Sequence, residues 1–146
     1  TAAFEALRSG LGEHAAIVEL RFDHDRLLAT VKDPKDPNAQ IVFEYYGEAL
    51  AKSIMPPLDW PTFGPDWFFD LTAASAPASR WAEMQLDTLA RLGMASAKID
   101  RITISKQKLM MPRNDRVLIE VRAEEGRRGG RVVYDLNGKM VDIVKP

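Results

Sequence analysis

The sequence predicts an α+β fold of two tandem repeats, each a helix packed on a three- to four-stranded antiparallel β-sheet. Apolar and polar residues alternate in short segments such as 18–22 and 99–104, which is typical of strands with one buried face. Apolar residues spaced three and four positions apart precede each group of strands, as in an amphipathic helix. The order of helix, strands and glycine turn then occurs twice, which indicates an internal repeat.

The composition restricts the class of protein. The chain has 146 residues, of which 46% are hydrophobic and 28% are charged, as in a globular domain. Its 20 basic and 21 acidic side chains give a net charge of -1, which argues against a nucleic-acid partner. No run approaches the roughly 20 apolar residues of a transmembrane helix. Because there is no cysteine, disulfides and thiolate chemistry are excluded.

Residues 1–54 are predicted to form the first repeat. Phe4, Leu7 and Leu11 share one face of a short helix that ends at glycine residues. Three segments that alternate apolar and polar side chains follow the helix, at residues 18–22, 27–31 and 41–45. They predict three strands that each bury one face against the helix.

Residues 55–78 are predicted to be a connector between the repeats. Four prolines there are interleaved with aromatic residues, so the segment has neither a helical nor a strand period. Five aromatic side chains are candidates for a binding surface: Trp60, Phe63, Trp67, Phe68 and Phe69. They have two interpretations: they seal the joint between two small sheets, or they anchor a partner protein.

Residues 79–146 are predicted to form the second repeat. Its helix ends at Gly93, and strands follow at residues 99–104 and 117–121. The pair Asn137-Gly138 predicts a two-residue hairpin turn, in which Tyr134 faces Val141 and Val132 faces Ile143.

A duplication is our interpretation of the common order of the two halves. Leu20 and Phe22 correspond to Ile102 and Ile104 when the first strands are aligned. The alternative is that two unrelated α+β segments share this order by coincidence. If the duplication holds, two units this small would join their sheets edge to edge or pack them face to face.

Three features of the second repeat carry a family resemblance: the helix ending at Gly93, the alternating strand Ile99–Ile104, and the closing segment Tyr134–Val141. With these features the chain resembles the PepSY domain and the related repeats of β-lactamase inhibitor proteins. The resemblance implies a non-enzymatic, exported bacterial protein that binds or inhibits another protein. It implies a periplasmic or lipid-anchored location and carries no catalytic residues.

The sequence offers no catalytic residue, metal ligand set or cofactor site. His14 and His24 are the only histidines, and Asp23-His24-Asp25 contains residue types that bind metals. Adjacent side chains of a strand point to opposite faces, however, so a solvated turn explains this segment better. No serine lies in a nucleophile elbow, and cysteine is absent.

A basic hairpin tip at residues 126–130 supplies the remaining candidates. It lacks the lysine and the hydroxyl residue of a phosphate-binding loop. Arg127, Arg128 and Arg131 could instead contact an acidic partner or lipid headgroups, and the alternative is a solvated rim.

We therefore expect a non-catalytic protein that binds another protein or peptide in the bacterial cell envelope or periplasm. A cytoplasmic location stays open, and a lipid-anchor or signal segment before Thr1 agrees with this expectation. The alternative is a single cone-shaped α+β domain of the nuclear transport factor type. In that fold Trp60, Trp67 and Phe69 would line a pocket for a small apolar ligand.

Overall fold

In the computed structural model of the protein, the described residues are 2–36, 39–53, 68–106 and 116–146. Their helices all pack on one face of a single antiparallel sheet. The elements in chain order are α1 (Ala2–Leu11), β1 (Ala16–Asp23), β2 (Arg26–Lys32), β3 (Gln40–Tyr45), β4 (Leu50–Lys52), β5 (Phe69–Asp70), α2 (Leu71–Ser75), a 3₁₀ helix (Ala76–Arg80), α3 (Trp81–Leu92), β6 (Lys98–Ser105), β7 (Leu118–Glu125), β8 (Arg128–Tyr134) and β9 (Met140–Val144).

Within the described residues the sheet has nine strands: eight follow the order β4-β3-β2-β1-β6-β7-β8-β9, and β5 pairs with the start of β1. Its central ladder joins β1 to β6, where Leu20 lies opposite Ile104 and Phe22 lies opposite Ile102. The predicted architecture of two tandem helix-on-sheet repeats is therefore wrong, because this ladder makes all the strands one continuous sheet. The alternation of side chains determines which face of a strand is buried, but it does not determine which strand lies beside it.

The predicted ranges 1–54 and 79–146 remain a prediction about the sequence. In the structure, strands from both ranges belong to the same sheet. Within the predicted connector 55–78, the described part contains β5 and α2. Asp70 of β5 pairs with Ala16 of β1, and Leu71 of α2 donates its backbone N–H to the carbonyl of Ala15. The end of the connector is thus attached to the first strand by backbone hydrogen bonds.

The hydrophobic core lies between the helices and one face of the sheet. Leu7 of α1, Leu20 of β1 and Ile104 of β6 are each fully buried there. Burial of one such side chain stabilises the fold by about 1.5–3 kcal/mol, so this layer supplies most of the attraction between helices and sheet.

Three aromatic rings connect both long helices to the centre of the sheet. The ring of Phe22 on β1 lies 5.7 Å from that of Phe4 on α1 and 4.6 Å from that of Trp81 on α3, measured between centroids. Phe4 and Trp81 also meet edge to face at 5.5 Å. Edge-to-face contacts of this kind add to the stabilisation that burial alone provides.

Helix α3 ends as predicted at Gly93, which adopts the left-handed conformation with φ 64°. The following residue, Met94, donates its backbone N–H to the carbonyl of Leu89 at 2.9 Å. Leu92 then packs directly over Gly130 of β8, where an added Cβ would lie 2.9 Å from its Cδ2 atom. The lack of a side chain at Gly130 lets the helix end approach the sheet closely.

The closing hairpin of β8 and β9 is partly as predicted. Val132 lies opposite Ile143 as expected, but Tyr134 lies opposite Met140 instead of Val141. The turn closes between Asp135 and Lys139, and the carboxylate of Asp135 accepts hydrogen bonds from two backbone N–H groups within it. The predicted two-residue loop is wrong because this side chain organises a longer turn.

Candidate functional site

The face of the sheet opposite the helices carries a line of arginine side chains. Asp23 of β1 lies opposite Arg26 of β2 and opposite Arg101 of β6. Arg101 in turn lies opposite Arg122 of β7, which lies opposite Arg131 of β8. Directly opposed residues of a sheet share a face, so the four arginines form one line, here called the arginine row. With neighbouring strands about 4.8 Å apart, the row spans about 19 Å.

Asp23 holds three guanidinium groups at one end of the row. Its Oδ1 atom accepts hydrogen bonds from Nε of Arg21 and Nε of Arg101, both at 3.1 Å. Its Oδ2 atom accepts one from Arg26 at 3.3 Å. Burial opposes ionisation of this carboxyl, but the arginine hydrogen bonds outweigh burial and lower the pKa of Asp23 below its ordinary value. Three cations around one anion leave an excess of positive charge.

Other carboxylates hold the rest of the row. Arg122 donates to Glu124 and lies 3.8 Å from Asp100. Arg131 donates to Oε2 of Glu120 at 3.2 Å. These pairs keep the formal charge of the face close to balance.

Two of the carboxylates are less exposed than the arginines they hold. The side chain of Asp23 is 17% exposed and that of Glu120 is 16% exposed, whereas the arginine side chains of the row are 31–45% exposed. Glu124, in contrast, is as exposed as Arg122. At Asp23 and Glu120 the more exposed partner is therefore a planar cation that an anion already orients. Such groups suit recognition of carboxylates and phosphates, because the guanidinium fork loses little freedom on binding.

Glu19 lies beside this cluster on β1 and is mostly buried. Burial raises the pKa of Glu19 above its ordinary value, and the charges of Arg21 and Arg101 act in the opposite direction. Glu19 thus adds an acidic group near the same two arginines.

The predicted basic residues separate in the structure. Arg131 belongs to the arginine row, while Arg127 and Arg128 lie exposed at the turn between β7 and β8. The sequence did not identify Arg21, Arg26, Arg101 and Arg122 as site residues. These arginines occupy polar positions in strands where apolar and polar side chains alternate, and this pattern was visible in the sequence. Only the order of the strands in the sheet shows that the four positions are neighbours.

Three of the predicted aromatic candidates lie outside the described residues: Trp60, Phe63 and Trp67. Phe68 is described, and its ring centroid lies 5.3 Å from the Nζ atom of Lys32. Phe69 is 6% exposed and belongs to the core.

Each of the two histidines lies beside an aspartate. Nδ1 of His14 lies 2.8 Å from Oδ2 of Asp70, and that hydrogen bond raises the pKa of His14 above its ordinary value. His24 lies 3.7 Å from Asp100. Among the described residues no group of three or more His, Cys, Asp or Glu side chains could hold a metal ion.

A cleft of about 690 Å³ lies at the end of α1, beside β2 and β3. Leu11 and Phe43 contribute apolar surface to it, and His14, Lys35 and Lys52 contribute polar surface. The mixed lining brings together no set of groups with a defined chemistry. The arginine row is therefore the better candidate for a functional site.

Comparisons with known proteins give a likeness of fold. No family model and no curated protein matches the chain. A solved structure of a "putative lipoprotein" from Clostridium difficile 630 is similar to it with a TM-score of 0.55 and 14% sequence identity. The match covers 99% of this chain and 90% of the other, and at this identity it shows the fold alone. Separately, none of the helices in the described ranges is long and apolar enough to span a membrane.

Proposed function

We propose that this protein is a non-catalytic binding protein of the bacterial cell envelope that recognises an acidic surface of another protein through the arginine row. The observation that carries the proposal is the arginine row itself. Its side chains stay 31–45% exposed, and the less exposed carboxylates of Asp23 and Glu120 hold Arg26, Arg101 and Arg131 in place.

The physical argument concerns the entropy of binding. Arginine is enriched at protein interfaces, because its planar fork pairs with carboxylates and its stem adds apolar contact area. A free arginine side chain loses rotamer freedom when it binds, which weakens the complex. In this sheet Asp23 and Glu120 have already ordered the arginines before a partner arrives.

A solvated sheet face is the simplest alternative interpretation. It accounts for polar side chains at every second position of a strand. It does not by itself account for three arginines, Arg101, Arg122 and Arg131, directly opposite one another on adjacent strands, each held by a carboxylate of the same sheet.

The location in the envelope rests on two likenesses. The similar solved structure is described as a "putative lipoprotein". The resemblance of residues 80–145 to PepSY-like repeats implies an exported protein of the same kind. Both support the proposal without identifying a partner.

Crosslinking in envelope extract of the source bacterium tests the proposal. The parent protein is compared with an Arg122→Gln, Arg131→Gln variant and with a control, Arg127→Gln, Arg128→Gln, that removes the same charge from the nearby turn. We expect the parent and the control to capture the same protein and the row variant to lose it. The captured protein is then purified, and its affinity should fall as salt is raised.

Circular dichroism must first show that both variants are folded. If the folded row variant captures the same protein as well as the parent does, the partner binds elsewhere and the proposal is wrong. Failure of the parent to capture any specific protein contradicts it as well.

A further inference from the structure

Two arginines at one end of the sheet face opposite the helices are held by the same carboxylate, that of Asp23. Arg21 and Arg101 each donate to Asp23 through Nε. A guanidinium has five N–H donors, of which four lie on its terminal nitrogens. The bonds to Asp23 use the donor on Nε, and the two side chains are 33% and 31% exposed.

The backbone fixes the two arginines close together. Arg21 lies on β1 and Arg101 on the adjacent β6, where their direct partners are Thr103 and Asp23. Both Nε atoms meet the same oxygen, Oδ1 of Asp23. Because one oxygen accepts both bonds, the two guanidinium groups lie close to each other, and Asp23 acts as a positioning residue.

We propose that the terminal nitrogens of Arg21 and Arg101 form a carboxylate-binding site, at which an acidic side chain of the partner protein docks. This inference rests on the proposed function and names the contact that recognises the partner. The site binds a carboxylate of the partner while Asp23 supplies a carboxylate from the opposite side. Each guanidinium would then lie between two anions.

The acids on the same face favour a protein partner over a lipid surface. Glu19, Glu120 and Glu124 lie among the arginines. A membrane presents a continuous layer of negative headgroups, which these acids would repel. A protein can place single carboxylates over the arginines and neutral groups over the acids, so complementarity with a protein is attainable.

Fluorescence anisotropy with a labelled peptide of alternating Glu and Gly residues tests the site, and a peptide with Gln in place of Glu is the reference. At low ionic strength, where exposed charges are least screened, the parent should bind the Glu peptide and not the Gln peptide. Arg21→Gln and Arg101→Gln should each weaken binding about tenfold, as expected for loss of a charge-assisted contact. Arg127→Gln, which removes one exposed charge from the turn, should change it less than about twofold.

The variant Arg101→Lys separates a specific site from general attraction. Lysine keeps the positive charge but lacks the planar fork, so it should restore little of the binding lost in Arg101→Gln. Full restoration by lysine, equal weakening by Arg127→Gln, or no binding of the Glu peptide would each overturn the inference. Binding of vesicles containing anionic phospholipid in preference to the Glu peptide would overturn it in favour of a membrane surface.

The crosslinking experiment keeps the two proposals distinct. A partner that is lost from the Arg122, Arg131 variant but unaffected by Arg21→Gln supports the proposed function and contradicts the carboxylate site. Specific peptide binding without any captured protein supports the site and contradicts the proposed function.

Discussion

The hydroxyl group of Tyr134 provides a sharp test of how α3 is held on the sheet. This side chain of β8 is 1% exposed. Its Oη atom donates to Oδ2 of Asp87 at 2.8 Å, and the carbonyl of Met84 lies 3.2 Å away. The hydroxyl of Thr88 lies 2.9 Å from the same atom. All three partners belong to α3, so one buried hydroxyl joins the helix to the sheet.

The substitution Tyr134→Phe keeps the buried ring and removes these hydrogen bonds. A hydrogen bond to a carboxylate contributes about 1.5–3 kcal/mol. The lower end applies, because the Asp87 side chain is 40% exposed and keeps its pairing with Arg91. Thr88 is fully buried and would lose its side-chain partner. We expect the free energy of unfolding to fall by about 2 kcal/mol and the Tm by roughly 5 °C.

The same residue should make the parent protein sensitive to alkaline pH. Burial, together with the hydrogen bond to the Asp87 carboxylate, raises the pKa of Tyr134 from 10.0 to about 12. The folded state favours the neutral phenol over the phenolate. The resulting contribution to the free energy of unfolding is complete below pH 10 and is lost as the pH rises through 12. A shift of this size corresponds to roughly 3 kcal/mol. The Tyr134→Phe variant should lack this loss.

Urea unfolding, followed by tryptophan fluorescence and circular dichroism, measures both effects. The matched control is Tyr46→Phe, since Tyr46 is 58% exposed and its hydroxyl donates to Glu44 at 3.3 Å. Removing that exposed hydroxyl should change the free energy of unfolding by less than about 0.5 kcal/mol. If Tyr134→Phe proves as stable as Tyr46→Phe, the hydroxyl does not hold α3 and the reasoning is refuted.

Three further predictions concern packing and charge. Gly130→Ala should lower the free energy of unfolding by about 1–3 kcal/mol, because the added Cβ would lie 2.9 Å from a leucine side chain of α3 and 3.0 Å from a β9 carbonyl oxygen. Gly129→Ala, whose nearest contact would be 3.7 Å, is the control in the same urea unfolding experiment and should differ little from the parent. The charged Asp23 carboxylate should stabilise the parent above about pH 4, and this stabilisation is lost as the pH falls through the lowered pKa of Asp23. The Asp23→Asn variant should lack this contribution to the free energy of unfolding. If acid titration by circular dichroism shows that both proteins unfold alike, the prediction is contradicted. The pKa of His14, measured by NMR titration, should lie above 6.5 in the parent and return toward it in Asp70→Asn, and an unchanged value would show that the pair does not form in solution.

Local patterns in the sequence predicted several features that the structure confirms. Alternation of apolar and polar residues identified the buried face of β6, where Ile102 and Ile104 point into the core. The glycine that ends α3 was predicted at position 93, because a left-handed residue there is accessible to glycine at little cost. These features depend on residues close together in the chain.

Side-chain hydrogen bonds limited even local prediction. The turn at Asn137-Gly138 was located from its residues, but its closing pair was wrong. The Asp135 carboxylate bonds the backbone N–H groups of Asn137 and Lys139 and extends the turn. The preference of Asn-Gly for a two-residue turn does not take into account these hydrogen bonds to a neighbouring side chain.

The arrangement of the strands was decided by the tertiary structure. The edge of a strand presents the same backbone groups whatever its side chains are, so no residue pattern shows that β1 pairs with β6 instead of ending a separate sheet. That pairing produces the single nine-stranded sheet. It also places Arg21 beside Arg101, and it completes the line from Arg26 to Arg131. The sequence by itself determined which face of β1 and β6 meets the helices, because apolar side chains such as Leu20 and Ile104 recur there at every second position. The tertiary structure alone decided which charged residues became neighbours, because backbone hydrogen bonding between distant strands sets their register.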